Sequence, residues 1–182
     1  MKHIGIISDT HGYWDDKYEY YLGECDEIWH AGDIGSMEVA DRFEAMKPIF
    51  RAVYGNIDDY DMRARYREIL RFKCEDVDVL LKHIGGYPGR YDRSVQSMLY
   101  ASPPNLFIDG HSHILKIQFD NYLYSIYIEL GIISNLEMIS SIWEDVHRLD
   151  ANMQILCHLI SDWSIHGVWY LGGAGTNSLQ IL

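Results

Sequence analysis

The chain has 182 residues, 48% of them hydrophobic, with 15 Lys and Arg against 27 Asp and Glu and a formal net charge of -12 at pH 7. That length and apolar content suffice for one substantial core, and no Pro/Ser/Gly-rich linker, repeat or low-complexity tract divides the chain, so a single domain over residues 1–182 is expected. The acidic balance argues against a partner of duplex nucleic acid, whose phosphate backbone needs clustered Lys and Arg.

Lys2 to Ser8 reads as a first buried strand that meets Asp9 too soon to be a secretory apolar segment. Trp14 to Leu22 follows as a short helix, Glu27–His30 as a second strand, and Ser36–Phe43 as a helix with Ser36 as its N-cap. Ile49–Tyr54 is a third strand, and Val77–Leu81 belongs to a fourth. Arg93–Tyr100 is a helix closed by Ser102-Pro103-Pro104, Leu106–Asp109 is a fifth strand, and Leu115–Asp120 with Leu123–Leu130 form a sixth and seventh that pair. This alternation implies an α/β fold. No apolar run reaches the roughly 18 residues of a membrane span, so no membrane partner is expected. Cys25, Cys74 and Cys157 are odd in number and lack Cys-x-x-Cys spacing, which fits a reduced, cytoplasmic setting.

Five polar islands stand directly behind the strands: Asp9-Thr10-His11, Gly32-Asp33, Gly55-Asn56, Lys82-His83 and Gly110-His111-Ser112-His113. All fall on one rim. Divalent ions of the Mn, Fe or Zn class accept imidazole nitrogen and carboxylate oxygen, and one carboxylate can bridge two ions about 3.5–4 Å apart. Gly12, Gly32, Gly55, Gly85 and Gly110 permit the tight turns such a gathering needs. Taken singly each island reads as turn or cap chemistry; their joint order is what points to a metal centre.

The series Asp-x-His, Gly-Asp, Gly-Asn-x-Asp, a later-strand His and Gly-His-x-His resembles the calcineurin-like metallophosphoesterases, and over residues 1–120 their small bacterial and archaeal phosphodiesterase branch. The resemblance implies a four-layer α/β/β/α fold of two stacked mixed sheets flanked by helices, and two divalent metal ions, foremost Mn, with Fe, Zn, Ni or Co as alternatives. Asp9, His11, Asp33 and His113 would hold one ion; Asp33, Asn56, His83 and His111 the other. A hydroxide bridging the ions would attack a small phosphodiester or phosphomonoester substrate. Many relatives carry His after the Asn, whereas this chain has Ile57 and then Asp58; Asp58 is expected to orient a ligand histidine, and His11 or water to supply the leaving-group proton. Arg90, after His83 in the loop Gly85–Arg90, is a candidate clamp on substrate phosphate. Two other readings stay open: a non-catalytic scaffold of the same fold, as in the retromer subunit, and a nuclease of the superfamily.

Other polar residues take plainer readings. His30 is a core histidine or one that supports a ligand, and Arg63, Arg65, Arg67 and Arg71 form a solvated face. The chain departs from the family over 122–182, where no Pro follows Pro104 and no Lys follows Lys116. Glu137–Leu149 has mixed helical periodicity and Ile155–Ile160 is apolar. Such a tail is a divergent extension, covering the core or joining copies into a homo-oligomer, or the product of a reading-frame change.

Overall fold

The computed structural model describes residues 2–112 and, beyond them, the backbone of the strands at 116–120, 123–127, 153–159 and 167–169. The elements run β1 (Lys2–Ile7), α1 (Lys17–Leu22), β2 (Glu27–His30), α2 (Met37–Ala45), β3 (Ile49–Ala52), α3 (Tyr60–Arg65), β4 (Ile69–Cys74) and β5 (Val77–Lys82). There follow a small hairpin of β6 (Gly86–Tyr87) and β7 (Arg90–Tyr91), then α4 (Arg93–Ala101), β8 (Leu106–Asp109), β9 (Lys116–Asp120), β10 (Leu123–Tyr127), β11 (Met153–Leu159) and β12 (Gly167–Trp169). Every strand expected through residue 127 is present. The helix α3 and the strand β4 were missed. Four arginines alternating with apolar residues over 63–71 gave no clean period, because the segment changes from helix to strand in its middle.

Two five-stranded sheets have the orders β12-β11-β1-β2-β3 and β4-β5-β8-β10-β9. In the first, β11, β1, β2 and β3 run parallel to one another and β12 pairs antiparallel with β11. In the second, β5, β8 and β10 are parallel while β4 and β9 are antiparallel edges. The apolar stretch near Ile155 therefore lies beside β1, in register Lys2 with Met153. The segment Glu137–Leu149 lies outside the described residues.

Alternation along the strands sorts side chains into layers. Ile7, Ile28 and Ala52 face Tyr18, Leu22, Val39, Phe43 and Met62 from the three helices over the first sheet. On the second sheet Leu80 and Phe107 pack with Val95 and Leu99 of α4. Between the sheets Trp29 of β2 meets Phe72 of β4 edge-on, ring centroids 5.0 Å apart. Helices, sheet, sheet and helix thus form four layers. Three of the helices are N-capped by side chains: Ser36 accepts from the Val39 amide, Asp59 from the Met62 amide and Asp92 from the Ser94 amide. Among the described residues no helix is long and apolar enough to cross a membrane.

Away from the polar islands, Glu27 is fully buried and accepts from Trp29 Nε1 at 2.9 Å, Arg51 Nε at 2.7 Å and Lys2 Nζ at 2.5 Å. Burial pushes its carboxyl up, but the bonds from Arg51, Lys2 and Trp29 prevail and hold it below the ordinary value. A carboxyl lowered in the folded state stabilises it above the unfolded pKa of about 4.3 and loses that contribution as pH falls through the folded value. Acid unfolding of Glu27→Gln should accordingly lose part of its pH dependence below about pH 4.3, measured by denaturant titration across that range. Phe43→Ala should cost about 3–5 kcal/mol of unfolding free energy in urea, because the ring is fully enclosed and its cavity cannot collapse.

Candidate metal centre

Parallel strands of one sheet end on the same side, which is why β1, β2 and β3 deliver Asp9 and His11, Asp33, and Asn56 to one rim. The second sheet brings His83 after β5 and His111 after β8, again parallel strands. The loops are laced together through their backbones. The Asp9 amide donates to the Gly32 carbonyl at 2.9 Å, the His11 amide to the Asp33 carbonyl at 3.0 Å, and the Gly110 amide to the His83 carbonyl at 3.0 Å.

Backbone strain is concentrated here. Among the described residues five that are not glycine have positive φ, and four of them are Asp9 (58°), His11 (48°), Asp33 (55°) and His111 (65°), the fifth being Glu75. An L-residue in this region costs about 1–3 kcal/mol, and such strain persists where surrounding structure enforces it and function uses it. The left-handed turn is what swings a side chain from the end of a strand into the space between the loops.

The donor atoms converge. Carboxylate and imidazole atoms of Asp9, His11 and Asp33 lie within 4.8 Å of one another, as do those of Asp33, His83 and His111, so Asp33 belongs to both groups. His83 Nε2 is 3.2 Å from Asp33 Oδ2 and 3.0 Å from Asn56 Oδ1, and its Nδ1 lies 2.8 Å from the Ala31 carbonyl. Nδ1 therefore carries the hydrogen that the carbonyl accepts, leaving Nε2 as the atom turned to the cluster. His11 Nε2 stands 3.9 Å from Asp9 Oδ1, and the rings of His83 and His111 are 5.2 Å apart. Oxygen and imidazole donors in two groups sharing a carboxylate fit two divalent ions of the Mn, Fe or Zn class. Of the expected ligands, Asp9, His11, Asp33, Asn56, His83 and His111 are brought together; His113 lies outside the described residues.

Burial and charge bear on these groups in opposite senses. Burial pushes Asp33 up, but hydrogen bonds from His83 and from the Ile57 amide, at 3.0 Å, hold its carboxyl below the ordinary value. Burial disfavours a charged His83, yet neighbouring Asp33 and Asp9 raise it above the usual imidazole value. Two carboxylates thus create a potential that attracts a proton or a cation. A carboxyl outside the expected set, Asp109, is buried and pushed well up by that burial; the Gly85 amide opposes the shift and Asp9 adds to it. It was read only as the end of a strand, because nothing in Leu106–Asp109 distinguishes an inward acid from a strand terminus.

Two supports decide the geometry behind the ligands. His30 is fully buried, accepts from the Gly32 amide at Nδ1 (3.2 Å), and through Nε2 meets Thr10 Oγ1 at 3.0 Å. Thr10 in turn donates to the Ile34 carbonyl at 3.1 Å. This chain joins the Asp9 loop to the Asp33 loop. Asp58, in contrast to the expectation that it orients a ligand histidine, accepts from the amides of Gly35 (2.8 Å), Gly55 (2.7 Å) and, at 3.4 Å, Ile34. Its carboxylate ties the Asp33 loop to the Asn56 loop, since it is buried where backbone amides and not imidazoles converge. Gly55 is needed beside it: a Cβ there would stand 2.0 Å from Asp33 Oδ1 and 2.4 Å from the Asp33 amide nitrogen.

Arg90 is exposed on the β6–β7 hairpin, and among the described residues its side chain makes no hydrogen bond or ion pair. The cleft that opens beside Asn56 and His83, about 240 Å³, is instead walled by Tyr54, Arg63, Glu68 and Lys82. The sequence reading puts Arg63 on a solvated face. Its position five residues after Asp58, in the last turn of a short N-capped helix, is the signal that could have placed it here.

Burial, with the nearby His83 adding, drives His30 down to about 3, so it is neutral in the folded protein and charges in the unfolded chain below about pH 6.5. Between these values the unfolded state binds more protons, so stability should decline as pH falls from about 6.5 toward 3; His30→Gln should flatten that decline in denaturant titrations. Asp58→Ala, which frees two loops together, should weaken metal binding about 10–100-fold by competition with a fluorescent chelator.

The sequence matches the calcineurin-like phosphoesterase superfamily domain over residues 1–135. Among curated protein sequences there is no significant match. The fold is similar to that of a conserved predicted phosphoesterase from Streptococcus pneumoniae (20% identity, TM-score 0.55, covering 72% of this chain and 76% of that one). It is also similar to an archaeal phosphodiesterase (22%, 0.55, 74% and 88%) and to Vps29 from Entamoeba histolytica complexed with Zn²⁺ (12%, 0.57, 98% and 96%). With a shared-carboxylate cluster on the rim where the matched domain lies, the chain belongs to the calcineurin-like phosphoesterase superfamily.

Proposed function

We propose that the protein is a dinuclear metal-dependent phosphoesterase that hydrolyses a small phosphodiester, with phosphomonoesters as weaker substrates. The observation that carries this reading is the sharing of Asp33 between two donor groups, each with its own histidine, on strained backbone. Asp9, His11, Asp33 and, by the resemblance, His113 would hold one ion; Asp33, Asn56, His83 and His111 the other. Two such ions supply Lewis acidity, an activated water and a positive clamp for phosphoryl oxygens. Mn is the first choice, with Fe, Zn, Ni and Co compatible with the same donors.

The chain's own residues do the positioning. His83 is anchored through Nδ1, so that only Nε2 faces the cluster, and Asn56 Oδ1 lies beside it. Asp33 Oδ1 is held by the Ile57 amide, which leaves Oδ2 toward His83, so the carboxylate would be oriented to serve both donor groups. The His11 side chain is 36% accessible, which suits it to pass a proton to a departing alcohol. Ile57 stands where many relatives have a histidine, which removes one proton source and favours activated leaving groups. Buried, unbridged Cys25 and Cys74 suit the reduced cytoplasmic setting proposed for it.

A scaffolding role is the second reading, favoured by likeness to Vps29 over nearly the whole of both chains. Metal-free protein titrated with Mn, Ni and Zn separates the two readings. Hydrolysis of an aryl phosphodiester should appear with Mn and exceed that of the corresponding monoester, and Asp33→Asn should reduce it at least about 100-fold. Absence of turnover with every metal, or parental turnover by Asp33→Asn, would leave the scaffold.

A further inference from the structure

The cleft beside the cluster has Asn56 and His83 at one end and Arg63 on its wall. Arg63 is held in place from several sides. Its Nε donates to the Asp58 carbonyl at 2.7 Å, its Nη2 to the Asn56 carbonyl at 3.1 Å, and its guanidinium lies 5.0 Å from the Tyr54 ring. Nη1 takes part in none of these bonds. Lys82, which also lines the cleft and whose side chain is only 5% exposed, pairs with Glu68 at 2.6 Å, and Glu68 also accepts from Tyr54 Oη at 3.3 Å. Lys82 and Glu68 cancel, so the cleft carries the positive charge of Arg63 in a chain of net charge -12.

The geometry points to a subsite for the alcohol half of the substrate in which Arg63 reads a second anionic group. This inference rests on the phosphoesterase reading above: a phosphodiester held at Asn56 and His83 has this cleft open to one of its two ester arms. The flat ring of Tyr54 and the apolar Ile84 accommodate a short aryl or alkyl stem, and Nη1 offers its hydrogens to a carboxylate or phosphate at the end. An arginine already fixed by backbone carbonyls loses little freedom on binding, which favours it over a loose lysine for this task. Arg63 is thus a specificity-determining residue.

Calorimetry on the manganese-loaded full chain tests this with three methylphosphinates, carrying 4-carboxybenzyl, 4-phosphonobenzyl and neutral 4-carbamoylbenzyl groups. With two P–C bonds and no ester to phosphorus, they remove turnover from the readout. At least one anionic ligand should bind about tenfold or more tighter than the carbamoyl one, the magnitude of one charge-assisted hydrogen bond, and the stronger of the two identifies carboxylate or phosphate as the preferred group. Arg63→Gln should erase the preference, and Glu68→Gln, which leaves Lys82 uncompensated, should enlarge it. Equal binding of the three ligands, binding of none, or a preference that survives Arg63→Gln overturns the inference. Should Arg63→Gln fail to fold, Glu68→Gln decides, since an unchanged or smaller preference contradicts the charge argument. Loss of aryl diester hydrolysis under every metal with the anion preference intact would overturn the hydrolytic reading and leave an anion-reading cleft.

Discussion

His83 is where the two sheets become one site. It enters from the second sheet, yet its Nδ1 hydrogen goes to the Ala31 carbonyl after a strand of the first, and its Nε2 faces Asp33 and Asn56, which the first sheet supplies. The close approach extends to Gly32, where a Cβ would stand 2.6 Å from that of His83. A shift of one sheet on the other would break these contacts together, so the packing between the sheets, Trp29 on Phe72 included, contributes to the spacing of the donor atoms. Core and chemistry are coupled through a single imidazole.

The rim holds its conformation against its own energetics. Four ligand positions sit in left-handed backbone, Asp109 is buried with its carboxyl pushed well up, and Asp9 and Asp33 place negative charge side by side. Compensation comes from groups that do not face the cluster. Asp58 gathers amides from two loops, the His30–Thr10 pair links two more turns, and the helix side of the first sheet supplies an enclosed aromatic and aliphatic core. Cations bound between the acids would relieve the remaining repulsion and, by doing so, would stabilise the folded state.

The cleft alters how the chain's overall charge bears on its chemistry. A strongly acidic molecule repels anions at long range, and screening confines that repulsion to about a Debye length, roughly 8 Å at physiological ionic strength. Within that distance fixed local groups decide, and Arg63 on its three carbonyls is such a group.

The order of the islands in the chain determined the family and the strand ends, because each island directly follows a strand that apolar patterning makes legible. Asp9, Asp33 and His83 were readable for that reason. The roles of Asp58, Arg63 and Asp109 were not. Asp58 and Arg63 meet backbone amides and carbonyls, which look alike at every position of a sequence, and Asp109 differs from any strand-ending acid only in what surrounds it. Only tertiary structure decided which amides Asp58 collects, that Arg63 and not Arg90 borders Asn56, and that Asp33 stands within reach of both histidine groups. These depend on the stacking of two sheets, a relation between distant segments that no local pattern encodes.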